Sequence, residues 1–180
     1  MPGVWVFPGG AVDEEDGPDP DSEAAHRRCA VRELSEEAGL EVGPDGLVAY
    51  SRWITPKVVP IRFDTRFYLA RDTGGVDPEV DGSEVIDWAW LAPSEALERH
   101  GSGGFDLVFP TIKHLESLTE FTTVDEAFAA ATRTEIRPVE PTIVMGEDGA
   151  DARLAFDEAD SDQPGTHRSD VDSAPPPGEV

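Results

Sequence analysis

Arg32-Glu33-Leu34-Ser35-Glu36-Glu37-Ala38-Gly39-Leu40 is the stretch on which the fold turns. On a helix over residues 23–38, Glu33, Glu36 and Glu37 stand at i, i+3 and i+4 and share one face. Each close like-charge pair costs about 0.2–0.5 kcal/mol. The cluster also sits toward the helix C-terminus, where the macrodipole already disfavours negative charge. Acid concentrated there, just before a glycine stop, is expected to be offset by a cation. The segment therefore reads as a divalent-metal site, and such a metal points to phosphate chemistry.

Working outward, Asp21 or Ser22 is placed to cap this helix, and Gly39 fits a left-handed exit. Ala25, Cys29, Ala30 and Leu34 are its expected inward positions. Upstream, Val4-Trp5-Val6-Phe7 reads as a strand delivered into a Pro8-Gly9-Gly10 turn, followed by an acidic loop over 11–22. Downstream, strands are expected at 47–54, 62–70 and 85–91. The second of these alternates, with Phe63, Thr65, Phe67 and Leu69 on one face and Arg62, Asp64, Arg66 and Tyr68 on the other. Helices are expected at 93–100, 110–118 and 124–132, the first two opening on Pro. Segments 142–145 and 153–156 suit a small hairpin. Strands interleaved with helices imply an α/β layered domain with a mixed sheet.

At 180 residues and 38% hydrophobic content, the chain suits one domain with a real core, here 1–140, followed by the hairpin region 141–156. Beyond it, 157–180 is acidic and rich in Ser, Pro and Gly, and is expected to be a disordered tail. The formal charge of −24 argues against nucleic acid as a partner, because an acidic surface repels phosphates. An anionic substrate would need metal ions or a local basic patch. The single Cys29 excludes an internal disulfide. There is no signal peptide and no apolar run long enough for a membrane span, so the expectation is a cytoplasmic protein.

The Phe7-Pro8-Gly9-Gly10 turn followed by residues 32–40 resembles the Nudix hydrolase signature, G-x5-E-x7-R-E-U-x-E-E-x-G-U. The second half is complete here. In the first half Asp16 stands in the usual Glu slot, and the loop before the helix carries eight extra residues. Further matches resemble the coenzyme A diphosphatase branch: Gly3-x3-Phe7-Pro8-Gly9-Gly10, Arg28-Cys29-Ala30-Val31-Arg32-Glu33, Trp53-Ile54-Thr55-Pro56, Arg62 to Phe67, and Trp90-Leu91-Ala92-Pro93. The resemblance covers about residues 3–145. It implies a Nudix-type α/β/α sandwich. It also implies a strand ahead of Gly3, which the sequence does not include. The sheet is accordingly expected to lack that edge, with a start codon placed too far downstream as the leading explanation and a strand from a partner chain as another.

The resemblance further implies Mg²⁺-dependent (or Mn²⁺-dependent) hydrolysis of a diphosphate linkage in a nucleoside-diphosphate derivative, with coenzyme A or acyl-CoA as the leading substrate class. A nucleotide sugar, a dinucleotide, or a non-catalytic ligand sensor are the alternatives. Glu33, Glu36 and Glu37 are the expected metal ligands, joined by the Gly10 carbonyl on family analogy. Arg32 is expected to brace the carboxylates, with Asp16 or Glu33 as partner. The general base is a box carboxylate (Glu33 or Glu36) or Glu84 from a distant loop, with Glu79 and Asp87 weaker. Arg62, Arg66 and Lys57 are the candidate patch for substrate phosphates, with pairing of Arg62 and Arg66 to Asp64 and neighbouring acids as the alternative. His26, His100 and His114 read as surface or capping residues, and Trp53, Trp88 and Trp90 as core or rim. A homodimer is common in the family, and the residues mark no interface.

Overall fold

The computed structural model describes residues 3–72, 75–80, 82, 85–145 and 152–166. Strand β1 (Val4–Trp5) leads through the Pro8-Gly9-Gly10 turn to a 3-10 turn at Glu14–Asp16 and then to helix α1 (Glu23–Ala38). Ser22 caps α1, its side chain accepting from the Ala25 N–H at 3.2 Å. Gly39 closes the helix in the left-handed region at φ 64°, its N–H bonding Ser35 O at 2.9 Å. The eight extra residues thus lie in the loop before the helix and leave the helix unbroken.

Strands β2 (Val48–Ile54) and β3 (Asp64–Leu69) pair antiparallel, with a register shift between Ala49 and Ser51. Helix α2 (Pro93–Ser102) starts on its proline. A short strand β4 (Asp106–Leu107) pairs in parallel with β1. Helices α3 (Phe109–Leu118) and α4 (Val124–Arg133) follow. Strand β5 (Pro138–Val139) then joins β2 in parallel, completing a mixed β3-β2-β5 sheet. Strands β6 (Thr142–Met145) and β7 (Ala152–Ala155) form the expected hairpin, paired antiparallel.

Alternation along β3 determines the layers. Arg66 and Tyr68 reach Glu23 on α1, whereas Phe67 lies against His114 on α3, ring centroids 4.1 Å apart. Helices α1 and α3 therefore flank the sheet on opposite faces, which is the α/β/α arrangement. A second apolar cluster joins α2 and α3 through Ala96, Phe105 and Leu115, and Trp5 stacks on Phe105 at 4.4 Å.

Four expectations are corrected. Segment 85–91 carries β-prone Val, Ile and Trp, but it enters no ladder among the described residues. With no neighbouring strand to take its N–H and C=O groups it leaves Ile86 70% and Trp90 56% exposed. On α1 the fully buried positions are Ala25, Cys29 and Ala38, while Ala30 and Leu34 are half-buried. His114 is not a surface residue but is 1% exposed. It is inserted under the sheet with Nε2 2.5 Å from Ser51 Oγ and Nδ1 2.5 Å from Pro110 O. Residues 157–166 do not behave as a loose tail. Gln163 and Thr166 are buried, and Phe156 packs edge-on against Trp53 at 5.4 Å. Residues 167–180 lie outside the described residues.

Candidate active site

Helix α1 presents the acidic cluster to the Gly9-Gly10 turn. Glu37 Oε2 accepts the Gly9 N–H at 2.8 Å. Gly10 runs so close to Glu33 that a Cβ there would overlap the carboxylate, so a larger residue would push the Glu33 side chain out of its present place. Cys29 Sγ lies 3.7 Å from Gly10 O, on the buried side of the same contact. Burial pushes the Cys29 thiol up to about 11, so it stays protonated and serves as packing.

Arg32 is the hub. Its guanidinium donates to Asp16 Oδ2 at 2.9 Å, Glu33 Oε1 at 2.8 Å, Glu36 Oε2 at 3.0 Å and Ala11 O at 3.1 Å. The Arg32 hydrogen bond holds the Asp16 carboxyl below the usual carboxylate range, although Asp16 is only 2% exposed and burial acts the other way. Asp16 also accepts the Asp13 N–H at 3.0 Å, closing a capping box in the 3-10 turn. The bracing role expected for Arg32 thus involves Asp16, Glu33 and Glu36 together. A glutamate in the Asp16 slot is replaced by the shorter acid without loss of the arginine contact.

The sequence reading passed over Arg28 and Glu23. Arg28 Nε donates to Asp16 O, gripping the backbone of the residue whose side chain Arg32 holds. Glu23 accepts from Arg27 at 2.9 Å, Arg66 at 2.8 Å and Tyr68 at 3.2 Å. For Glu23 the signal was its i, i+4 spacing with Arg27, whereas nothing local marks the reach of Arg28 to a carbonyl twelve positions away.

The expected basic patch does not gather at one point. Arg66 is paired with Glu23 and also donates to Asp21 O at 2.8 Å. Arg62 donates to Thr55 O at 2.9 Å and lies 3.3 Å from Glu140, which Lys57 approaches at 4.0 Å. Glu84 lies outside the described residues. The exposed Glu79 docks by its backbone on the C-terminal end of α1, its N–H bonding Ala38 O at 2.9 Å.

The donor chemistry at this end of α1 suits a hard divalent cation, with carboxylates from Glu33, Glu36 and Glu37 beside an exposed glycine backbone. The carboxylates are turned toward Arg32 and the Gly9 N–H. Accordingly no three His, Cys, Asp or Glu side chains converge as a cage among the described residues. No helix among them is long and apolar enough to cross a membrane.

Comparison with known proteins agrees with this geometry. Residues 1–109 match the NUDIX domain family. An acyl-coenzyme A diphosphatase of Homo sapiens (NUDT19) is 31% identical over 67% of this chain and 34% of its own length. Nudix hydrolase 25 of Arabidopsis thaliana is 30% identical over 55% of this chain and 63% of its own. The chain spans 33% to 63% of the length of these curated relatives and two others it matches. A crystal structure of a NUDIX hydrolase from Alicyclobacillus acidocaldarius superposes with a TM-score of 0.62 at 26% identity, over 71% of this chain and 81% of that one. With the box helix, its glycine turn and the flanking layers in place, the chain belongs to the Nudix hydrolase family.

Proposed function

We propose that this protein hydrolyses a diphosphate linkage in a nucleoside-diphosphate derivative, with coenzyme A or an acyl-CoA as the substrate class and Mg²⁺ or Mn²⁺ as the cofactor. The observation that carries the reading is the docking of the acidic end of α1 on the Gly9-Gly10 turn, with Glu37 on the Gly9 N–H and Glu33 against Gly10. Two relatives bearing the name acyl-coenzyme A diphosphatase support the substrate class.

Glu33, Glu36, Glu37 and the Gly10 carbonyl would hold the metal. When bound, it neutralises the diphosphate and lowers the pKa of the attacking water. The chain's own residues do the rest. Arg32 donates to Glu33, Glu36 and Asp16 at once, which ties the two helix carboxylates to the Asp13–Asp16 turn and fixes their positions beside the glycine turn that Glu33 and Glu37 meet. A box carboxylate or Glu84 takes the proton from water. Arg62 and Lys57, which both approach Glu140, are the cations we assign to the departing phosphate. The protein acts from the cytoplasm on a small molecule, either alone or as a homodimer.

A substrate panel tests this. Purified protein with Mg²⁺ is incubated with coenzyme A, acetyl-CoA, ADP-ribose, a dinucleotide and a nucleotide sugar, and the products are identified by mass spectrometry. Cleavage of coenzyme A to a 4′-phosphopantetheine product and an adenosine bisphosphate, abolished by EDTA and restored by Mg²⁺, is the expected result. Intact coenzyme A beside a cleaved nucleotide sugar or dinucleotide would move the protein to another Nudix substrate. No cleavage of any member, with binding retained, would make it a ligand sensor.

A further inference from the structure

The box helix is fastened at both ends, and the fastening at its N-terminal end lies on the sheet. At the C-terminal end the contacts are those of Arg32 and Gly9 described above. At the other end Arg66, from β3, donates to Glu23 Oε2 at 2.8 Å and to Asp21 O at 2.8 Å. One guanidinium therefore grips both the last turn of the extra loop and the first residue of the helix. Its side chain is 14% exposed, and its Nε is buried with no hydrogen-bond partner, so the group is fixed between loop and sheet rather than offered to solvent. Glu23 is held from two further directions. Tyr68 Oη donates to it at 3.2 Å, and Arg27 donates at 2.9 Å while its guanidinium lies 5.4 Å from the Tyr68 ring centroid. Arg27 also reaches Leu47 O at 2.7 Å, at the entrance to β2. The extra loop is pinned at its start as well, by Arg28 on Asp16 O.

We propose that Arg66 is a positioning residue. It latches the inserted loop and the first turn of α1 to β3, and thereby sets where the carboxylates of Glu33 and Glu37 meet the Gly9-Gly10 turn. This deepens the functional reading above and rests on it for the kinetic part only. A loop lengthened by eight residues has more conformations to lose on closing. Without an anchor at its far end, the helix could slide relative to the turn by fractions of an ångström, enough to misplace a reacting geometry. Arg66 acts through Glu23 and Asp21 and need not touch substrate.

The test compares Arg66→Ala, Arg66→Lys and Glu23→Gln with Arg52→Ala. Arg52 sits on the same sheet and pairs with Asp64 at 2.8 Å, so its loss removes an ion pair of similar kind without freeing the loop. Hydrogen exchange of peptides covering 11–24 and Mn²⁺ titration calorimetry are read on every variant, neither of which needs turnover. Steady-state kinetics are added on the substrate found by the panel. For Arg66→Ala the expected result is at least tenfold faster exchange in 11–24, Mn²⁺ affinity down about tenfold, and kcat down about tenfold with KM within twofold. Arg66→Lys restores part of each, because an ammonium cannot fork to both acceptors. Glu23→Gln, which removes the charge but keeps the fold's acceptor, gives a smaller effect in the same direction. Arg52→Ala moves none of the three. Unchanged exchange in 11–24 would overturn the latch. Faster exchange with unaltered Mn²⁺ affinity would overturn its link to the box. A raised KM at constant kcat would overturn positioning in favour of direct substrate contact. If the wild-type protein cleaves nothing, the functional reading fails while exchange and Mn²⁺ binding still decide the latch.

Discussion

On one face of the β3-β2-β5 sheet, α1 is fastened by ion pairs through Glu23, Arg27 and Arg66 and buries only the small side chains of Ala25, Cys29 and Ala38. On the other face α3 drives in His114 and Lys113, with Phe67, Trp53 and Tyr50 around the imidazole. The first face is charged and partly wet, and it carries the acids expected to bind a cation. The second is dry and aromatic, with His114 and Tyr50 hydrogen-bonded internally to Ser51 and Ser117 and the buried Trp53 indole N–H left without an acceptor. Rigid packing under the sheet allows the acidic face to keep mutually repelling carboxylates in place, a cost that hydrophobic burial on that side does not offset. The difference yields separable expectations: changes on the α1 face should cost activity more than stability, and changes on the α3 face the reverse.

The largest effect is expected at Glu37. Glu37→Gln keeps an oxygen for the Gly9 N–H and removes the negative charge, so the fold should survive. On the proposed function this removes one anionic metal ligand and several kcal/mol of transition-state stabilisation, and kcat should fall on the order of a thousandfold. The thermal midpoint should stay within a few degrees of wild type. A variant that unfolds instead would mean that the acidic end of α1 is structural, and the contrast between the faces would be lost.

The counterpart on the dry face is His114. Burial pushes its imidazole down to about 4, and the Pro110 carbonyl only partly opposes this. In the unfolded chain the group titrates near its ordinary value of about 6.5. Between these values the unfolded state binds a proton that the folded state refuses. Stability is therefore fully present above about pH 6.5 and declines as pH falls toward 4, by as much as about 3 kcal/mol. Urea denaturation of wild type and His114→Gln across this range checks the sign. The variant should be less stable at pH 7, having lost the Ser51 contact, yet show a flatter slope. Asp16 adds a second loss at lower pH. Its depressed carboxyl contributes stability above its ordinary value of 3.8 that disappears as pH falls through its folded value. An equal slope in both proteins between pH 6.5 and 4 would remove His114 as the cause.

The two faces were unequally legible in the sequence. Helix α1 could be bounded because Ser22 and Gly39 are local signals, and its acids because i, i+3, i+4 spacing is fixed by helix geometry. Its partners could not. Arg66 and Glu23 are 43 positions apart, and only the packing of α1 across the β2–β3 hairpin brings them together. His114 reads as polar on a half-polar helix, and its burial depends on Ser51 arriving from a strand 63 positions earlier. Segment 85–91 misled for a related reason: β-propensity expresses fit to a pleated surface, and a ladder also needs a neighbour. Residues 157–166 misled because composition measures the apolar area a segment can bury and misses hydrogen bonds that a side chain makes to a waiting backbone.

Gln163 offers the smallest effect and the cleanest view of that last point. Its side chain accepts the Arg137 N–H at 2.9 Å and donates to Glu135 O at 3.2 Å, just before β5 enters the sheet. It is 1% exposed, so removing the amide leaves two backbone groups without partners in a site that water reaches poorly. Gln163→Ala should cost about 1–2 kcal/mol in urea denaturation and speed amide exchange at Arg137. Activity should be unaltered, because the contact lies on the chain entering β5 and touches neither α1 nor the glycine turn. A stability change within about 0.3 kcal/mol of zero would mean that 157–166 lies loosely on the domain in solution. The acidic tail would then begin at residue 157, as composition alone suggests, and the dry face would end at Phe156.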